Sequence, residues 1–436
     1  MKIKTLLGWL VILGLSFLPI YFWWQFGPDA QNITNYASFV HALGQIFGLI
    51  GMTMFALTFI LSSRISWIED VFGGLDKVYV THGILGGTAL ILILAHPIFL
   101  VLKFIPENFK LAATYLLPGA YWNVNFGIIS LLGMIALIFI TLYTKMKYQR
   151  WKFTHEFFGL IFFFAALHIL LIRGVAISYI FTGYLIYAYV ILAIGLFGFS
   201  YSLFLKNRLF QNAVYLVQSV IHNENLYEII LKPKNKALTY SAGQFIFVRF
   251  YNEHLSKEAH PFSIASKSDG YHIILIVKKL GDFTNELHQI KAGDKVTVEG
   301  PYGRFMYQQH PKHDQIWIAG GIGITPFLGM AQDLEKNEKF TNPITLFYAV
   351  KNKNELVGEN VLKRVAKNRQ NFCYVPWLSE TQGRLTVDKI IAKCSNIKNT
   401  KYFLCGPPQL KNAIINALLK LGVSKKNINE EAFDLL

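Results

Sequence analysis

The chain has 436 residues, of which 53% are hydrophobic and 16% charged, and its formal net charge is +16. This length leaves room for two or three domains. The basic residues form no Arg-rich run or groove-reading motif, so their excess does not indicate nucleic acid and fits a small anion such as a nucleotide. Residues 1–205 hold only 11 of the 42 Lys and Arg and 6 of the 26 Asp and Glu. The first half is therefore predicted to lie in a membrane and the second to be soluble.

Six long apolar segments occupy the first half, each near the ~20 residues that a helix needs to cross a bilayer. The first begins like a secretory signal peptide. No small-x-small cleavage site follows it, and it continues through Trp23 and Trp24, which favours a retained helix. The predicted spans are residues 5–26, 36–62, 78–102, 123–144, 154–172 and 178–204.

The basic residues that flank the spans predict their orientation. With the N-terminus inside, ten of them lie on the cytoplasmic side and three outside, namely Lys103, Lys110 and Arg173. All three cysteines belong to the soluble half, which fits a reducing compartment. The second half is therefore predicted to be cytoplasmic.

Four histidines in two spans point to the chemistry of the membrane half. A histidine at bilayer depth is costly unless its polarity is taken up, and two helices that each carry two can hold two stacked haems by bis-imidazole ligation. At ~1.5 Å per residue, the spacings separate the members of each pair by roughly 20 Å, enough to place one haem toward each face of the membrane. The histidines are His82 and His96 on the third span and His155 and His168 on the fifth.

The helical period sets a condition on the second pair. At about 100° per residue, His82 and His96 fall within ~40° of one face, whereas His155 and His168 differ by ~140°. The fifth span therefore needs a bulge or tilt, or must contact its haems from different sides. A lone histidine such as His41 is better explained as a hydrogen-bonding group between helices. The topology pairs His82 with His155 near the cytoplasmic face and His96 with His168 near the outer face.

From Val214 the pattern changes to short β-like runs between Gly, Pro and Asn turns, which predicts an antiparallel barrel. Beyond the barrel, apolar strands alternate with helical stretches, as in a parallel α/β nucleotide-binding domain. The barrel strands are predicted at Tyr215–Ile221, Leu226–Leu231, Gln244–Phe250, His272–Lys278 and Lys295–Glu299, and the later strands include Gln315–Ala319, Thr345–Ala349 and Tyr402–Leu404.

Five motifs follow one another along the soluble half: His-Pro-Phe-Ser (260–263), Gly-Asp-Phe-Thr (281–284), Gly-Pro-Tyr-Gly (300–303), Gly-Gly-Ile-Gly-Ile-Thr-Pro-Phe (320–327) and Cys-Gly-Pro-Pro (405–408). In this order, behind four paired histidines, they resemble the NADPH oxidase and ferric reductase superfamily and its bacterial NADPH oxidase-like flavocytochromes. The superfamily spaces its haem ligands by the same x13 and x12.

The resemblance implies a multi-domain protein of the bacterial inner membrane. A six-helix transmembrane two-haem domain (1–206) is expected to precede a ferredoxin-reductase-like module. That module would comprise an antiparallel β-barrel FAD-binding domain (207–312) and an NAD(P)-binding α/β domain (313–436).

The first motifs indicate a flavin site. Phe262 can pack on the flavin, and the Ser263 hydroxyl can bond near the edge where hydride arrives. An ordinary barrel strand is the alternative, and related reductases often have Arg where His260 stands. The second motif predicts a short helix whose free amides, with the Thr284 hydroxyl, bind the FAD phosphates. The candidate FAD-binding residues are His260, Pro261, Phe262, Ser263, Lys278, Gly281, Asp282, Phe283 and Thr284.

The later motifs indicate a nicotinamide dinucleotide site. The glycine-rich turn follows a strand and precedes a helix, which is the setting of a phosphate-binding turn. Cys405 would lie near the nicotinamide, with a buried small hydrophobe as the alternative. Cations rather than a carboxylate follow the strand Thr345–Ala349, which favours NADPH over NADH. The candidates are Gly320, Gly321, Ile322, Gly323, Thr325, Pro326, Lys351, Ser379, Arg384, Cys405, Gly406 and Pro407.

The resemblance completes the expected function. NADPH, or NADH as the alternative, would reduce FAD in the cytoplasm, and two b-type haems would carry electrons to an outer acceptor. Oxygen, giving superoxide, is the suggested acceptor and a ferric chelate is the alternative. The predicted catalytic residues are Phe433, stacked on the flavin, Cys405, and Arg173, which could pair with a haem propionate or favour a developing anion. Beyond these ligands and membrane lipid, neither nucleic acid nor an obligate protein partner is expected.

Overall fold

The computed structural model of the chain describes residues 2–26, 29–30, 32–105, 107–146, 148–171, 183–205, 213–223, 225–256, 258–269, 271–393 and 396–431. The chain divides into two compact units, Met1–Gln211 and Asn212–Leu436. Among the described residues, the first unit is helical and the second contains every strand.

Apolar helices make up the first unit. Six stretches of the described residues are long and apolar enough to cross a membrane, which agrees with the six predicted spans. The fifth of them, Gln149–Leu171, is built from two consecutive helices. The helices are α1 (Lys2–Phe26), α2 (Tyr36–Leu61), α3 (Ser66–Phe72), α4 (Leu75–Leu102), α5 (Phe109–Thr114), α6 (Trp122–Tyr143), α7 (Tyr148–Glu156), α8 (Phe158–Leu171) and α9 (Gly183–Ser200), which a π turn (Tyr201–Leu205) follows.

Helix α2 is the most buried span of this unit. In an apolar 18-residue stretch of this helix, 61% is buried, against 17–28% in the corresponding stretches of the other five spans. Membrane helices gain little from the hydrophobic effect on association, so small residues that allow close packing matter more. A Cβ on Gly51 of α2 would lie 2.8 Å from the Ile93 Cγ1 of α4, and one on Gly198 of α9 would lie 2.9 Å from the carbonyl carbon of Phe59. Glycine therefore sets how closely α4 and α9 approach α2.

The fifth span is broken at Phe157, between α7 and α8. The Phe157 amide donates to the Thr154 carbonyl at 3.2 Å and the Leu160 amide to the Phe157 carbonyl at 3.0 Å. These are the i→i−3 bonds of a 3₁₀ turn, which advances about 120° per residue and so rotates the two halves of the span relative to a continuous α-helix. The irregularity lies between His155 and His168, where the helical period requires one.

Six antiparallel strands form the barrel of the second unit, in the order β4-β3-β6-β1-β2-β5. The Ala265 amide, just after β4, donates to the Ile274 carbonyl of β5 at 2.9 Å, and this bond brings the two edges of the sheet together. The elements are β1 (Ala213–His222), β2 (Leu226–Pro233), β3 (Phe245–Tyr251), β4 (His260–Ser263), β5 (Ile273–Lys278), α10 (Asp282–Glu286) and β6 (Lys295–Tyr302).

The remaining strands form a parallel sheet in the order β11-β10-β7-β8-β9. Its central strand is buried along its whole length, and Trp317 is fully enclosed. The elements are β7 (Gln315–Gly320), α11 (Thr325–Lys336), β8 (Ile344–Val350), α12 (Glu359–Asn368), β9 (Phe372–Leu378), α13 (Ser379–Gln382), α14 (Val387–Ile391), β10 (Lys401–Cys405), α15 (Pro408–Lys420) and β11 (Ile428–Glu431).

Helix α11 packs directly on the barrel. The Gln332 side-chain amide donates to the Ala265 carbonyl at 2.9 Å, and a Cβ on Gly329 would lie 2.9 Å from the Ile264 carbonyl oxygen. The helix that follows the glycine-rich turn is thus held against the end of β4. The predicted fold class, a membrane helical domain followed by a barrel and an α/β domain, is confirmed.

Candidate functional site

The four span histidines form two facing pairs. His82 of α4 faces His155 of α7, with ring centres 6.2 Å apart and ring planes inclined by 56°. His96 of α4 faces His168 of α8, with ring centres 6.4 Å apart and planes inclined by 67°. The structure therefore brings together the histidines that matching depth pairs in the sequence.

These separations suit one metal ion between each pair of imidazoles. A transition metal bonds an imidazole nitrogen at about 2.0–2.1 Å, and that nitrogen lies about 1.1 Å from the ring centre, so two trans ligands have centres about 6.3 Å apart. Direct hydrogen bonding or stacking between the rings would bring the centres closer.

Three of the four imidazoles are oriented by backbone carbonyls. The Nδ1 of His82 lies 3.0 Å from the Thr58 carbonyl oxygen, and the Nδ1 of His96 lies 2.7 Å from the Gly44 carbonyl oxygen. The Nδ1 of His168 lies 2.6 Å from the Asn123 carbonyl oxygen. A carbonyl only accepts, so Nδ1 carries the proton and Nε2 keeps its lone pair. This is the tautomer that metal-ligating histidines adopt when their other nitrogen is held by an outer partner.

Two glycines make room for the rings of His96 and His168. A Cβ on Gly48 of α2 would lie 2.7 Å from the His96 Nδ1, and one on Gly127 of α6 would lie 2.8 Å from the His168 Nδ1. Neither glycine was a candidate from the sequence, because only the packing of α2 and α6 against the ligand helices shows their role. Each forms a slot that holds an imidazole flat against the neighbouring helix.

His41 does not belong to either pair. Its Nδ1 lies 3.6 Å from the Asp29 carboxylate, and the Gln45 side-chain amide donates to the same carboxylate at 2.6 Å. Trp23 in turn donates to Gln45 at 2.7 Å. His41 thus lies at ion-pair distance from a carboxylate, and its role as a hydrogen-bonding group between helices stays a prediction.

In the barrel, the His260 ring lies stacked on Phe283, with centres 3.6 Å apart and planes inclined by 18°. In the β3–β4 register, His260 is opposite Val248 and Phe262 is opposite Ile246, so both side chains face the same side of the sheet as the barrel core. Pro261 and the buried Ser263 face the other side.

The second flavin motif forms the predicted short helix, α10. The Thr284 hydroxyl accepts from the amides of Leu280 and Gly281, both at 2.9 Å, and caps the helix. Phe283 is buried in the barrel core beside Phe250. Lys278 is exposed at the end of β5. The hydroxyl thus shapes the turn, and Asp282 begins the helix.

The carboxyl ends of β7 and β10 bring the two nucleotide motifs into contact. A Cβ on Gly323 would lie 2.3 Å from the Cys405 carbonyl oxygen, and one on Gly320 would lie 2.9 Å from Pro407. A Cβ on Gly406, whose φ is +150°, would lie 2.9 Å from the Gly320 backbone. Only glycine fits where these two turns meet. Gly321 and Ile322 complete the turn, and the buried Thr325 and Pro326 begin α11.

The Cys405 side chain points into the core of the α/β domain. The residue is 1% exposed and lies in the same apolar cluster as Phe305 and Phe403. Burial, with the Glu431 carboxylate nearby, raises the pKa of the Cys405 thiol well above its usual range. The thiol is therefore protonated at neutral pH and is no nucleophile.

The cations predicted for the dinucleotide lie at the ends of β8 and β9. Lys351 follows β8, and its ammonium lies 3.6 Å from the Glu380 carboxylate in an exposed pair. Its amide donates to the Glu355 carboxylate at 3.2 Å. Ser379 follows the neighbouring strand, and Arg384 is exposed after α13. Two carboxylates that the sequence did not single out thus lie beside Lys351.

Two of the predicted catalytic residues, Arg173 and Phe433, lie outside the described residues. Glu431, the last described residue, pairs with Cys405 across β10 and β11.

Comparison with protein families matches the three parts of the chain in turn. Residues 47–167 match the ferric reductase like transmembrane component, 211–306 an FAD-binding domain, and 317–415 an oxidoreductase NAD-binding domain. The chain is therefore an integral membrane oxidoreductase with FAD- and NAD-binding domains. It has the architecture of the NADPH oxidase and ferric reductase superfamily.

Individual relatives cover part of the chain. Flavohemoprotein A of Dictyostelium discoideum is 31% identical over 236 residues, which is 50% of this chain and 58% of that protein. The phenol 2-monooxygenase reductase component DmpP of Pseudomonas sp. (strain CF600) is 30% identical over 46% of this chain and 59% of that protein. NADH-cytochrome b5 reductase 2 of Mycosarcoma maydis is 30% identical over 33% of this chain and 44% of that protein. The chain thus spans less than two thirds of these relatives.

The slot at Gly127 yields a test in the membrane unit. Gly127→Ala would force the new methyl group against the His168 ring. If the four histidines hold two haems, as the sequence predicts, we expect this variant to lose about half of the haem absorption. The measurement is the reduced-minus-oxidised absorption of purified protein. Gly87→Ala is the matched control, because a Cβ there meets nothing within 4 Å. Equal spectra for the two variants would refute the slot.

The contact at Gly323 yields a test in the soluble unit. In Gly323→Ala the methyl group would collide with the Cys405 carbonyl and force the two turns apart, so we expect dinucleotide binding to weaken at least tenfold, about 1.4 kcal/mol. Titration of the oxidised protein with NADP⁺ measures the affinity, and flavin content checks the fold. Unchanged affinity would show that the junction of the turns does not shape the site.

Proposed function

We propose that the protein transfers electrons from a cytoplasmic nicotinamide dinucleotide, by way of FAD and two haems, to an acceptor on the outer side of the membrane. The observation that carries this proposal is the presence of two imidazole pairs, at 6.2 and 6.4 Å, on the same two membrane spans. The family models support the order of the remaining parts.

His82 and His155 would hold one haem, the inner haem, and His96 and His168 the other, the outer haem. The basic loops support this orientation, because they place the N-terminus and the His82–His155 pair on the cytoplasmic side. Bound there, b-type haems supply one-electron redox chemistry. The chain contributes the carbonyl bonds and glycine slots that fix the imidazoles, and two histidines would hold each haem.

The flavin site is assigned to the end of β4 and to α10. Ser263 is assigned to the isoalloxazine, close to where α11 packs on the barrel. Phe262, which the sequence also assigns to the flavin, faces the barrel core with His260. The capped turn at Gly281–Thr284, Asp282 and the exposed Lys278 are assigned to the phosphates. His260 stands where related reductases carry Arg, and its stacking on Phe283 gives it a fixed position beside the core.

The dinucleotide is assigned to the carboxyl edge of the parallel sheet, where such ligands bind in open α/β sheets. Gly320–Gly323 and Gly406 leave backbone amides accessible to a pyrophosphate. Lys351, Ser379 and Arg384 would receive the 2′-phosphate of NADPH, although Glu380 partly neutralises Lys351. NADH is the alternative, and several relatives, NADH-cytochrome b5 reductase 2 among them, are named for it. Phe433 follows β11 in the sequence and is assigned, from the family resemblance, to the flavin face.

Oxygen is the proposed acceptor, and its reduction by one electron gives superoxide. If two histidines hold each haem iron, the acceptor would receive its electron without binding iron. Arg173 is assigned to a haem propionate or to the developing anion. A ferric chelate is the second candidate, supported by the ferric reductase like match over residues 47–167.

Replacement of the outer ligands tests the electron path. We expect His96→Ala or His168→Ala to remove the outer haem and to stop reduction of an acceptor outside sealed vesicles, while NADPH still reduces FAD. The measurements are haem content and flavin bleaching by stopped flow. His41→Ala is the matched control, since His41 is a span histidine that faces no other imidazole. Full two-haem content in either ligand variant would refute the assignment.

A side-by-side assay tests the acceptor. With NADPH as donor, we expect oxygen-dependent turnover and cytochrome c reduction that superoxide dismutase abolishes. Arg173→Ala is expected to slow the outer step more than flavin reduction. Anaerobic turnover with a ferric chelate at or above the aerobic rate, with little superoxide, would instead make the protein a metalloreductase.

A further inference from the structure

His155 differs from the other three paired histidines. Their Nδ1 atoms lie 2.6–3.0 Å from backbone carbonyl oxygens of neighbouring helices. The Nδ1 of His155 is buried and has no hydrogen-bond partner in the described part of the chain. Something other than a hydrogen bond must therefore orient this ring.

Two aromatic side chains enclose the His155 imidazole. Trp151, one turn earlier on α7, stacks on it with centres 4.9 Å apart and planes inclined by 17°. Phe158, at the start of α8, meets it edge to face with centres also 4.9 Å apart. Aromatic pairs in such geometries are attractive and keep water away from the groups that they cover. The break at Phe157 brings Phe158 to this position.

We propose that Trp151 is the positioning residue of His155, and that it takes the place of the carbonyl bond by holding the imidazole and keeping its Nδ1 free of water. This inference rests on the proposed haem ligation. It identifies a residue outside the ligand set that controls the inner haem alone.

The arrangement has a consequence for the reduction potentials. A hydrogen bond from Nδ1 raises the basicity of a ligating imidazole, and a more basic ligand favours the oxidised metal. Both ligands of the outer haem have this bond, whereas only His82 has it at the inner haem. The inner haem would therefore be the easier of the two to reduce.

The test compares three variants of the full-length protein by spectroelectrochemical titration. Trp151→Leu removes the stacked ring and admits water to the Nδ1, so the inner-haem midpoint shifts down toward that of the outer haem, which is unchanged. Trp151→Phe keeps an aromatic ring and restores most of the wild-type midpoint. Phe153→Leu is the matched control, because Phe153 is an exposed aromatic residue on the same helix, and it leaves both midpoints unchanged.

The results separate this inference from the proposed function. Protein without bound haem would overturn both. Two haems whose midpoints do not respond to Trp151→Leu, or respond equally to Trp151→Phe, would overturn the role of Trp151 alone. A second check needs no variant of α7. In His96→Ala, which is expected to lack the outer haem, the surviving midpoint must be the higher of the two measured in the wild-type protein, and survival of the lower one would overturn the inference.

Discussion

The structure depends on the burial of four imidazoles among apolar membrane helices. An unsatisfied polar group in hydrocarbon costs several kcal/mol, so a buried ring nitrogen without a partner is costly. Carbonyls supply that partner for one nitrogen of His82, His96 and His168, whereas the Nδ1 of His155 is enclosed by aromatic rings. The ring centres of the two pairs lie 6.2 and 6.4 Å apart, a separation that suits a metal between them.

The need to present these rings explains other features of the membrane unit. The fifth span leaves regular α-geometry at Phe157 because a continuous helix would turn His155 and His168 to different faces. Glycine stands at 48 and 127 because any side chain there would displace a ligand. In the soluble unit the same logic applies at Gly323 and Gly406, where two turns meet at the edge of the sheet.

Much of the fold follows from the sequence, because spans and central strands are marked by long apolar runs. Each predicted strand lies within an observed strand or begins one residue before it. The strands that were not predicted, β9 and β11, both lie at sheet edges, where strands are short, partly exposed and tolerant of proline such as Pro376. In the candidate site, the sequence alone showed the spacing of the paired histidines. The 3₁₀ turn, the glycine slots and the stacked Trp151 were not, because each arises from contacts between helices.

The central claim is that each facing pair of histidines holds one haem. Low-temperature electron paramagnetic resonance of the oxidised protein, combined with iron and haem quantitation, tests it most directly. The account predicts two haem irons per chain, both low-spin with two imidazole ligands. A single haem per chain, or a high-spin signal from a five-coordinate iron in the wild-type protein, would contradict it.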